Sequence, residues 1–127
     1  MPDDLIEKKL TESVIGAFFE VYNELKFGFL ETLYLKALER ELLGRGHGIA
    51  RQFSVPVFYK GEVIGIQRLD MVVDDKLVIE AKSSENLSPV AIRQLDSYLK
   101  ATRLEVGLVL HFGPKARFYR RVFLNDN

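Results

Sequence analysis

Two carboxylates and a lysine interrupt segments of the chain that are otherwise strongly apolar. Asp70 lies in the apolar segment 63–73, and Glu80 and Lys82 lie in the apolar segment 77–82. A carboxylate in such surroundings costs several kcal/mol unless it is paired or binds a metal. These residue types therefore predict either a network of ion pairs or a site for a divalent cation.

The period-2 alternation of side chains in strands indicates whether these charged residues meet. In the second strand Asp70 shares a face with Arg68, and in the third strand Glu80 shares a face with Lys82. A three-residue loop at 74–76 sets Asp70 opposite Glu80, on the same face of the sheet. Two adjacent carboxylates repel, and a divalent cation between them removes the repulsion. A nearby lysine ammonium can orient or help deprotonate the water that such a cation holds.

An ion-pair ladder is the competing interpretation of the same residues. It would join Asp70 to Lys82 and Arg68 to Glu80 across the two strands. The tripeptide Glu-x-Lys occurs three times in the chain, beginning at Glu7, Glu24 and Glu80, so its presence alone does not decide between the two. Both interpretations stay open at this level.

Further polar residues are candidates on the predicted helices. Glu31 follows Gly28 by three residues near the start of the second helix, where a glutamate is also favourable as a local cap if Gly28 is the N-cap. Gln94 and Tyr98 lie one turn apart on the third helix and share a face. Either pattern also occurs in helices without a functional site.

Basic residues and histidines near the end of the chain give a second group of candidates. Four cations could bind phosphate, or could protect an edge strand by charge: Lys115, Arg117, Arg120 and Arg121. His47 lies among glycines in a predicted turn and is expected to be solvated. His111 follows a buried strand and could meet a substrate, but a hydrogen-bonded structural role is the favoured expectation.

The elements that must position these residues follow from the spacing of apolar side chains. Period 3.6 predicts helices over 3–25 and 29–43, the first begun by Asp3 and Asp4. Ser88 and Pro89 start a third helix, which runs to Ala101. Strands are predicted over 53–59, 63–73, 77–81, 105–112 and 117–124, and the loop at 74–76 sets Val73 opposite Leu77. The predicted order is ααβββαββ, with the first three strands as a meander.

Composition limits the classes of protein that this chain can belong to. Its 127 residues are 47% hydrophobic and 28% charged, which favours a single folded domain over 1–127. Eighteen basic side chains balance eighteen acidic ones, which argues against a protein that grips nucleic acid by net charge alone. The chain has no cysteine, its first residues do not form a signal peptide, and it has no apolar run of membrane-spanning length. We therefore expect a cytoplasmic protein with no membrane association.

The segment 28–34, with the sequence GFLETLY, matches the signature of the GxxExxY protein family. The resemblance extends from about Leu10 to Val122 and includes the blocks RLD at 68–70, IEAK at 79–82, QLDSYL at 94–99 and HFG at 111–113. That family is assigned to the PD-(D/E)XK nuclease superfamily. The resemblance implies an α/β restriction-endonuclease-like fold, a mixed sheet with an αβββαβ core flanked by helices and preceded by an extra N-terminal helix.

The resemblance also implies roles for individual residues. Asp70 and Glu80 match the two acidic metal ligands of the superfamily, and Lys82 matches the lysine that positions or activates the attacking water. Glu31 matches a helical acid that supports the metal site, and Gln94 matches a helix position used near the active centre. Family members often have Asn where this chain has His111.

Two functions from different classes are consistent with these observations. The first is a nuclease that uses Mg²⁺ or Mn²⁺, because all the ligands are oxygens, and that hydrolyses phosphodiester bonds in nucleic acid, with DNA as the favoured substrate. The second is a catalytically inactive module with the nuclease fold that binds nucleic acid or protein. A homodimer or a partner protein would supply the grip on a duplex that the neutral chain lacks.

Overall fold

The computed structural model describes residues 6–125 and contains three helices and five strands. The elements are α1 (Lys8–Leu25), α2 (Glu31–Gly44), β1 (Ile49–Tyr59), β2 (Glu62–Val73), β3 (Leu77–Ser83), α3 (Pro89–Thr102), β4 (Val106–Phe112) and β5 (Ala116–Val122). The order agrees with the prediction, although β1 begins four residues earlier than expected. The predicted helix start at Asp3 and Asp4 lies outside the described residues.

The five strands form a single mixed sheet in the order β1-β2-β3-β4-β5. Neighbouring strands are antiparallel except for β3 and β4, which are parallel. Parallel neighbours need a crossover connection, and α3 provides it. Its start has the predicted cap, since the Ser88 hydroxyl accepts a hydrogen bond from the Val90 N–H at 3.2 Å and Pro89 is the first helical residue.

Apolar side chains cover both faces of the sheet. On one face, α1 and α2 pack over a core that includes Phe18, Tyr34 and Phe112. On the other face, α3 packs over a smaller core that includes Leu95 and Val109. Strands β3 and β4 are buried on both faces, as their nearly continuous apolar sequences predict. Within residues 6–125, the helices are too short or too polar to cross a membrane.

The side-chain alternation of β2 changes phase at Asp70. Leu69 and Val72 both pack in the core beneath α3, although strict period-2 alternation would place them on opposite faces. The β2–β3 ladder covers only residues 71–73 against 77–79. The predicted single face along the whole of β2, with Arg68 opposite Lys82, is therefore wrong. Asp70 lies where the two strands separate.

The turn between β2 and β3 is fixed from outside by side-chain hydrogen bonds. Val73 lies opposite Leu77, as predicted, around a loop in which Asp74 and Asp75 both have positive φ. The Asp74 carboxylate lies 2.7 Å from His47 Nδ1 and accepts the Gly48 N–H at 2.7 Å. The prediction that His47 is solvated is therefore wrong. Its side chain is largely buried because it lies between this turn and α1.

The second partner of His47 is on α1. His47 Nε2 lies 2.7 Å from the Ser13 hydroxyl. Partial burial raises the pKa of Asp74. The hydrogen bonds from the Gly48 N–H and from His47, and the charge of His47, outweigh this effect and hold the pKa below its ordinary value. The chain Ser13–His47–Asp74 therefore ties α1, the α2–β1 loop and the β2–β3 turn together.

Candidate active site

Asp70 and Glu80 come together where β2 and β3 separate. The Asp70 Oδ2 atom accepts a hydrogen bond from the backbone N–H of Ala81 at 2.9 Å. The Glu80 carboxyl is 3% exposed and is hydrogen-bonded to the Asp70 carboxyl. Two neighbouring ionised carboxylates repel each other, which favours a state in which the pair keeps a proton.

Glu80 is the member of the pair whose pKa is raised. Its burial, its hydrogen bond to Asp70 and the charge of Asp70 raise its pKa to about 9, against an ordinary value of 4.5. The charge of Lys82 and a hydrogen bond from Tyr98 act in the opposite direction but are weaker. The pair is therefore held at neutral pH as one carboxylate and one carboxylic acid.

Lys82 is the cation closest to this pair. Its Nζ atom lies 3.9 Å from Glu80 Oε2, and its side chain is 30% exposed. Across residues 6–125, neither Asp70 with Lys82 nor Arg68 with Glu80 forms an ion pair, so the ladder considered from the sequence is absent. The long, partly solvated contact leaves the ammonium near the carboxyls and open to solvent.

Tyr98 connects α3 to the carboxyl pair. It is hydrogen-bonded to Glu80, and burial together with the negative charges of Glu80 and Asp70 raises the pKa of its hydroxyl. Gln94, one turn earlier, is half-buried, and its side chain makes no hydrogen bond within the described part of the chain. The spacing of Gln94 and Tyr98 predicts their shared face, but only the packing of α3 on β3 brings Tyr98 to Glu80.

Glu31 reaches the end of β3 rather than the carboxyl pair itself. It is the first residue of α2, because Leu30 and not Gly28 is the N-cap. Its Oε2 atom accepts the backbone N–H of Ser83 at 3.1 Å, and the Ser83 hydroxyl donates to the Phe29 carbonyl at 2.6 Å. The charged groups that shift the pKa of Glu80 are Asp70 and Lys82, and Glu31 is not one of them.

The four basic residues of the last strand and its preceding turn divide into three environments. Arg121 makes two hydrogen bonds to the Asp96 carboxylate, at 2.9 and 2.8 Å. Arg120 points to the opposite face and donates to the Ile6 carbonyl at 2.7 Å. Lys115 and Arg117 line a cavity of about 390 Å³. Only the last two are presented together to a ligand.

The donor set at Asp70 and Glu80 fits a divalent cation with oxygen ligands. A cation in place of the proton would remove the repulsion between the buried Glu80 carboxylate and the half-buried Asp70 carboxylate. Magnesium usually binds through one or two carboxylates and keeps several waters. Within residues 6–125, no group of three or more Asp, Glu, His or Cys side chains converges. Asp70 and Glu80 are the residues that would hold such a metal.

Comparison with solved structures shows the same fold in another protein. The crystal structure of SSO0001 superposes with a TM-score of 0.60 at 21% identity, over 94% of this chain and 60% of that one. The chain therefore spans less than two thirds of that relative. With the family match below, this likeness confirms the predicted restriction-endonuclease-like fold, a five-stranded mixed sheet with three helices. No curated protein matches the chain significantly.

The family is shown by the sequence itself. The profile of the PD-(D/E)XK nuclease superfamily matches residues 8–122, which include every helix and strand of the structure. The matched range contains the carboxyl pair, Lys82, Glu31 and the residues of α3. The chain therefore belongs to the PD-(D/E)XK nuclease superfamily.

Proposed function

We propose that this protein is a divalent-metal-dependent nuclease that hydrolyses phosphodiester bonds, with DNA as the favoured substrate. The observation that carries the proposal is the pairing of the half-buried Asp70 carboxyl with the buried Glu80 carboxyl, 3.9 Å from the Lys82 Nζ atom, where burial and the charge of Asp70 raise the pKa of Glu80. Buried groups with a strongly shifted pKa and a specific charged partner are typical of functional sites. A purely structural carboxyl pair would have no need of a solvent-accessible lysine 3.9 Å away.

Asp70 and Glu80 are proposed to hold Mg²⁺ or Mn²⁺. When bound, the cation supplies neutralisation of the charge that develops on the scissile phosphate. Asp70 is held in place by the Ala81 N–H, and Glu80 is held by the Tyr98 hydroxyl. Glu31 is proposed to take part directly or through water from its place beside Ser83. Glu80 must lose its proton before it can serve as a ligand.

Lys82 is proposed to orient the attacking water. The attacking water forms a new bond to phosphorus and gives up a proton to solvent, the bond to the leaving sugar oxygen breaks, and that oxygen takes up a proton from solvent. The Lys82 ammonium, 3.9 Å from Glu80 Oε2, can hold the water on the side of the carboxyl pair that faces solvent. Gln94, on the same face of α3 as Tyr98 and without a partner in residues 6–125, is free to contact the substrate.

Membership of the GxxExxY family is proposed from the way residues 28–34 are used. Gly28 has a φ of 126°, which favours glycine. The Tyr34 hydroxyl donates to the Lys26 carbonyl and accepts the Phe29 N–H at 3.2 Å. Glu31 binds the end of β3. The glycine, the glutamate and the tyrosine each help to fix the α1–α2 connection beside the site, which gives the motif a structural reason.

A catalytically inactive nuclease-fold module that binds nucleic acid or protein is the second candidate. The observation that favours it is the place of Glu31, whose carboxylate bonds to backbone at the end of β3 and leaves two carboxyls together rather than three. Metal binding and cleavage are therefore measured separately in the test below. For a duplex substrate we also propose a homodimer, in which each of the two sites would face one strand of the duplex.

The test is an assay on single-stranded, duplex and branched DNA and on RNA, with Mg²⁺ or Mn²⁺. We expect cleavage by the parent protein and a loss of about 10²–10⁴-fold in Lys82→Ala, with Mg²⁺ binding retained by calorimetry. Glu80→Ala is expected to lose both cleavage and Mg²⁺ binding. Lys100→Ala, on the exposed side of α3, is the matched lysine control and should cleave like the parent.

Two outcomes decide against the catalytic proposal. One is intact substrate across the whole panel at high protein concentration although calorimetry shows bound metal. The other is cleavage by Lys82→Ala at the rate of the parent protein. Substrate binding without cleavage would support the inactive module in its place.

A further inference from the structure

A cavity of about 390 Å³ opens on the α3 face of the sheet. We call it the β4–β5 cavity. It is lined by the β3–α3 loop at 85–87, by the end of β4 at His111, by the following turn at Pro114 and Lys115, and by Arg117 and Tyr119 of β5. Its volume lies toward the lower end of the ~300–1,000 Å³ typical of small-ligand sites.

The strand register connects this cavity to the proposed catalytic residues. Lys82 pairs with His111 across β3 and β4, and His111 pairs with Arg117 across β4 and β5. Paired residues on neighbouring strands point to the same face. With neighbouring strands ~4.8 Å apart, the backbone of Arg117 lies on the order of 10 Å from that of Lys82. A ligand in the cavity would therefore lie beside the site, along the same row of side chains.

The lining of the cavity combines positive charge with apolar surface. Lys115 and Arg117 have no ion-pair or hydrogen-bond partner among residues 6–125, and Glu85 is the only acidic residue of the lining. Leu87, Pro114 and the ring of Tyr119 provide the apolar part. Two uncompensated cations suit a phosphodiester group, and an aromatic ring with apolar neighbours suits the face of a base.

His111 provides a second, independent indication of a ligand. It is 4% exposed and its Nε2 lies 2.8 Å from the Ser84 carbonyl, which can only accept, so Nε2 carries the proton. Nδ1 is then an acceptor, and it has no hydrogen-bond partner within the described residues. A buried acceptor without a donor costs free energy, which a donor from a bound molecule or its water would recover.

We infer that the β4–β5 cavity binds one nucleotide unit of a nucleic-acid strand, next to the phosphate at the carboxyl pair. Lys115 and Arg117 contact the backbone phosphate of that nucleotide, and the Tyr119 side lies against its base. This inference rests on the proposed function, because it takes the strand to pass the carboxyl pair. It extends that proposal, because the two cations of the cavity would bind the substrate locally although the chain as a whole has no net charge.

The experiment measures binding without cleavage. Fluorescein-labelled single-stranded 12-mers of DNA and of RNA are titrated with protein in EDTA, and anisotropy gives the Kd. The parent is expected to bind with a Kd of ~10⁻⁶–10⁻⁴ M. Arg117→Glu should weaken binding about tenfold or more, whereas Lys9→Glu, the same charge change at an exposed residue of α1 on the opposite side of the sheet, should change it less than twofold.

Two further variants separate the cavity from general surface charge. Arg117→Ala and Lys115→Ala should each reduce the slope of log Kd against log salt by about 0.7, the value for one phosphate contact to a single strand. Asn86→Trp, at an exposed position of the lining, leaves the charge unchanged and should weaken binding about tenfold by filling the cavity.

The inference is overturned if the parent binds neither strand, if Lys9→Glu weakens binding as much as Arg117→Glu, or if Asn86→Trp and Arg117→Glu both bind like the parent. Failure of the nuclease proposal looks different. Binding that depends on Arg117 without any cleavage in Mg²⁺ supports the cavity and contradicts catalysis. Cleavage by a protein whose Arg117→Glu variant binds normally supports catalysis and contradicts the cavity.

Discussion

At the scale of single residues, we propose that Asp70 and Glu80 exchange a proton for a metal ion. The Ala81 N–H fixes one carboxyl and the Tyr98 hydroxyl fixes the other. Burial makes a second negative charge unfavourable, so Glu80 keeps its proton until a cation of higher charge takes its place. The same burial that holds the proton excludes water from the pair and strengthens its attraction for a cation.

The proton on Glu80 predicts how the stability of the metal-free protein depends on pH. The folded-state pKa, about 9, lies above the ordinary 4.5, so the contribution of Glu80 to stability is full below about pH 4.5 and is lost as the pH rises toward 9. Glu80→Gln should flatten this dependence and exceed the parent by on the order of 1–3 kcal/mol at pH 9.

Thermal melts in EDTA at pH 5, 7 and 9 provide the measurement. Glu12→Gln, at an exposed position of α1, is the control and should follow the parent at each pH. A slope between pH 5 and 9 that is the same in Glu80→Gln as in the parent would show that Glu80 is ionised in the folded protein.

Asp70→Asn tests the pair by removing the charge of its other member, Asp70. The asparagine oxygen can still accept the Ala81 N–H, and its amide can donate to Glu80, so the variant should unfold within about 1 kcal/mol of the parent or be more stable. It should bind no Mg²⁺ by calorimetry. A loss of ~3–5 kcal/mol in metal-free melts would instead indicate that Asp70 compensates a buried cation.

At the scale of elements, the site depends on a break in regular pairing. The β2–β3 ladder ends at Met71 and Ile79, and β2 changes phase between Leu69 and Val72. Because the ladder has ended, the Ala81 N–H donates to the side-chain carboxylate of Asp70. In a regular ladder this N–H would donate to a main-chain carbonyl of β2. The β2–β3 turn, tied to α1 and to the α2–β1 loop through His47, fixes the other end of the same short ladder.

Adjacent residues of that turn offer a matched pair of substitutions. Asp74→Ala removes the bonds to His47 and to the Gly48 N–H and should lower the free energy of unfolding by ~1–2 kcal/mol. Asp75→Ala, at a similar φ of 55° and without a side-chain bond in the described residues, controls for backbone strain. Urea denaturation of both variants at pH 7 makes the comparison, and an equal loss in the two would show that the tie adds no stability.

At the scale of the whole molecule, metal binding should appear as added stability. Mg²⁺ at 100 times its Kd at pH 7 should raise the free energy of unfolding by ~2.7 kcal/mol. The same Mg²⁺ concentration should stabilise the protein more at pH 8 than at pH 6, because Glu80 must release its proton before the metal binds. Ca²⁺ should also stabilise the protein but support little hydrolysis. Melts with and without each metal test this, with Asp70→Asn as the variant that should show no shift.

The sequence by itself determined which elements form and which charges are anomalous. Helix and strand periods depend on neighbours within a few residues, so the element order, the Ser88–Pro89 helix start and the Val73–Leu77 register could be predicted locally. The adjacency of Asp70 and Glu80 also followed from that register and the loop length. All of these features follow from geometry between residues that are close in the sequence.

Only the tertiary structure decided which of the remaining polar groups are free to act. Arg121 is paired with Asp96 on α3, Glu31 binds the end of β3, and His47 is enclosed between α1 and a turn. Tyr98 reaches Glu80 only through the packing of α3 on the sheet. Each of these contacts joins residues that are distant along the chain, and local periodicity carries no information about which distant partner a side chain meets.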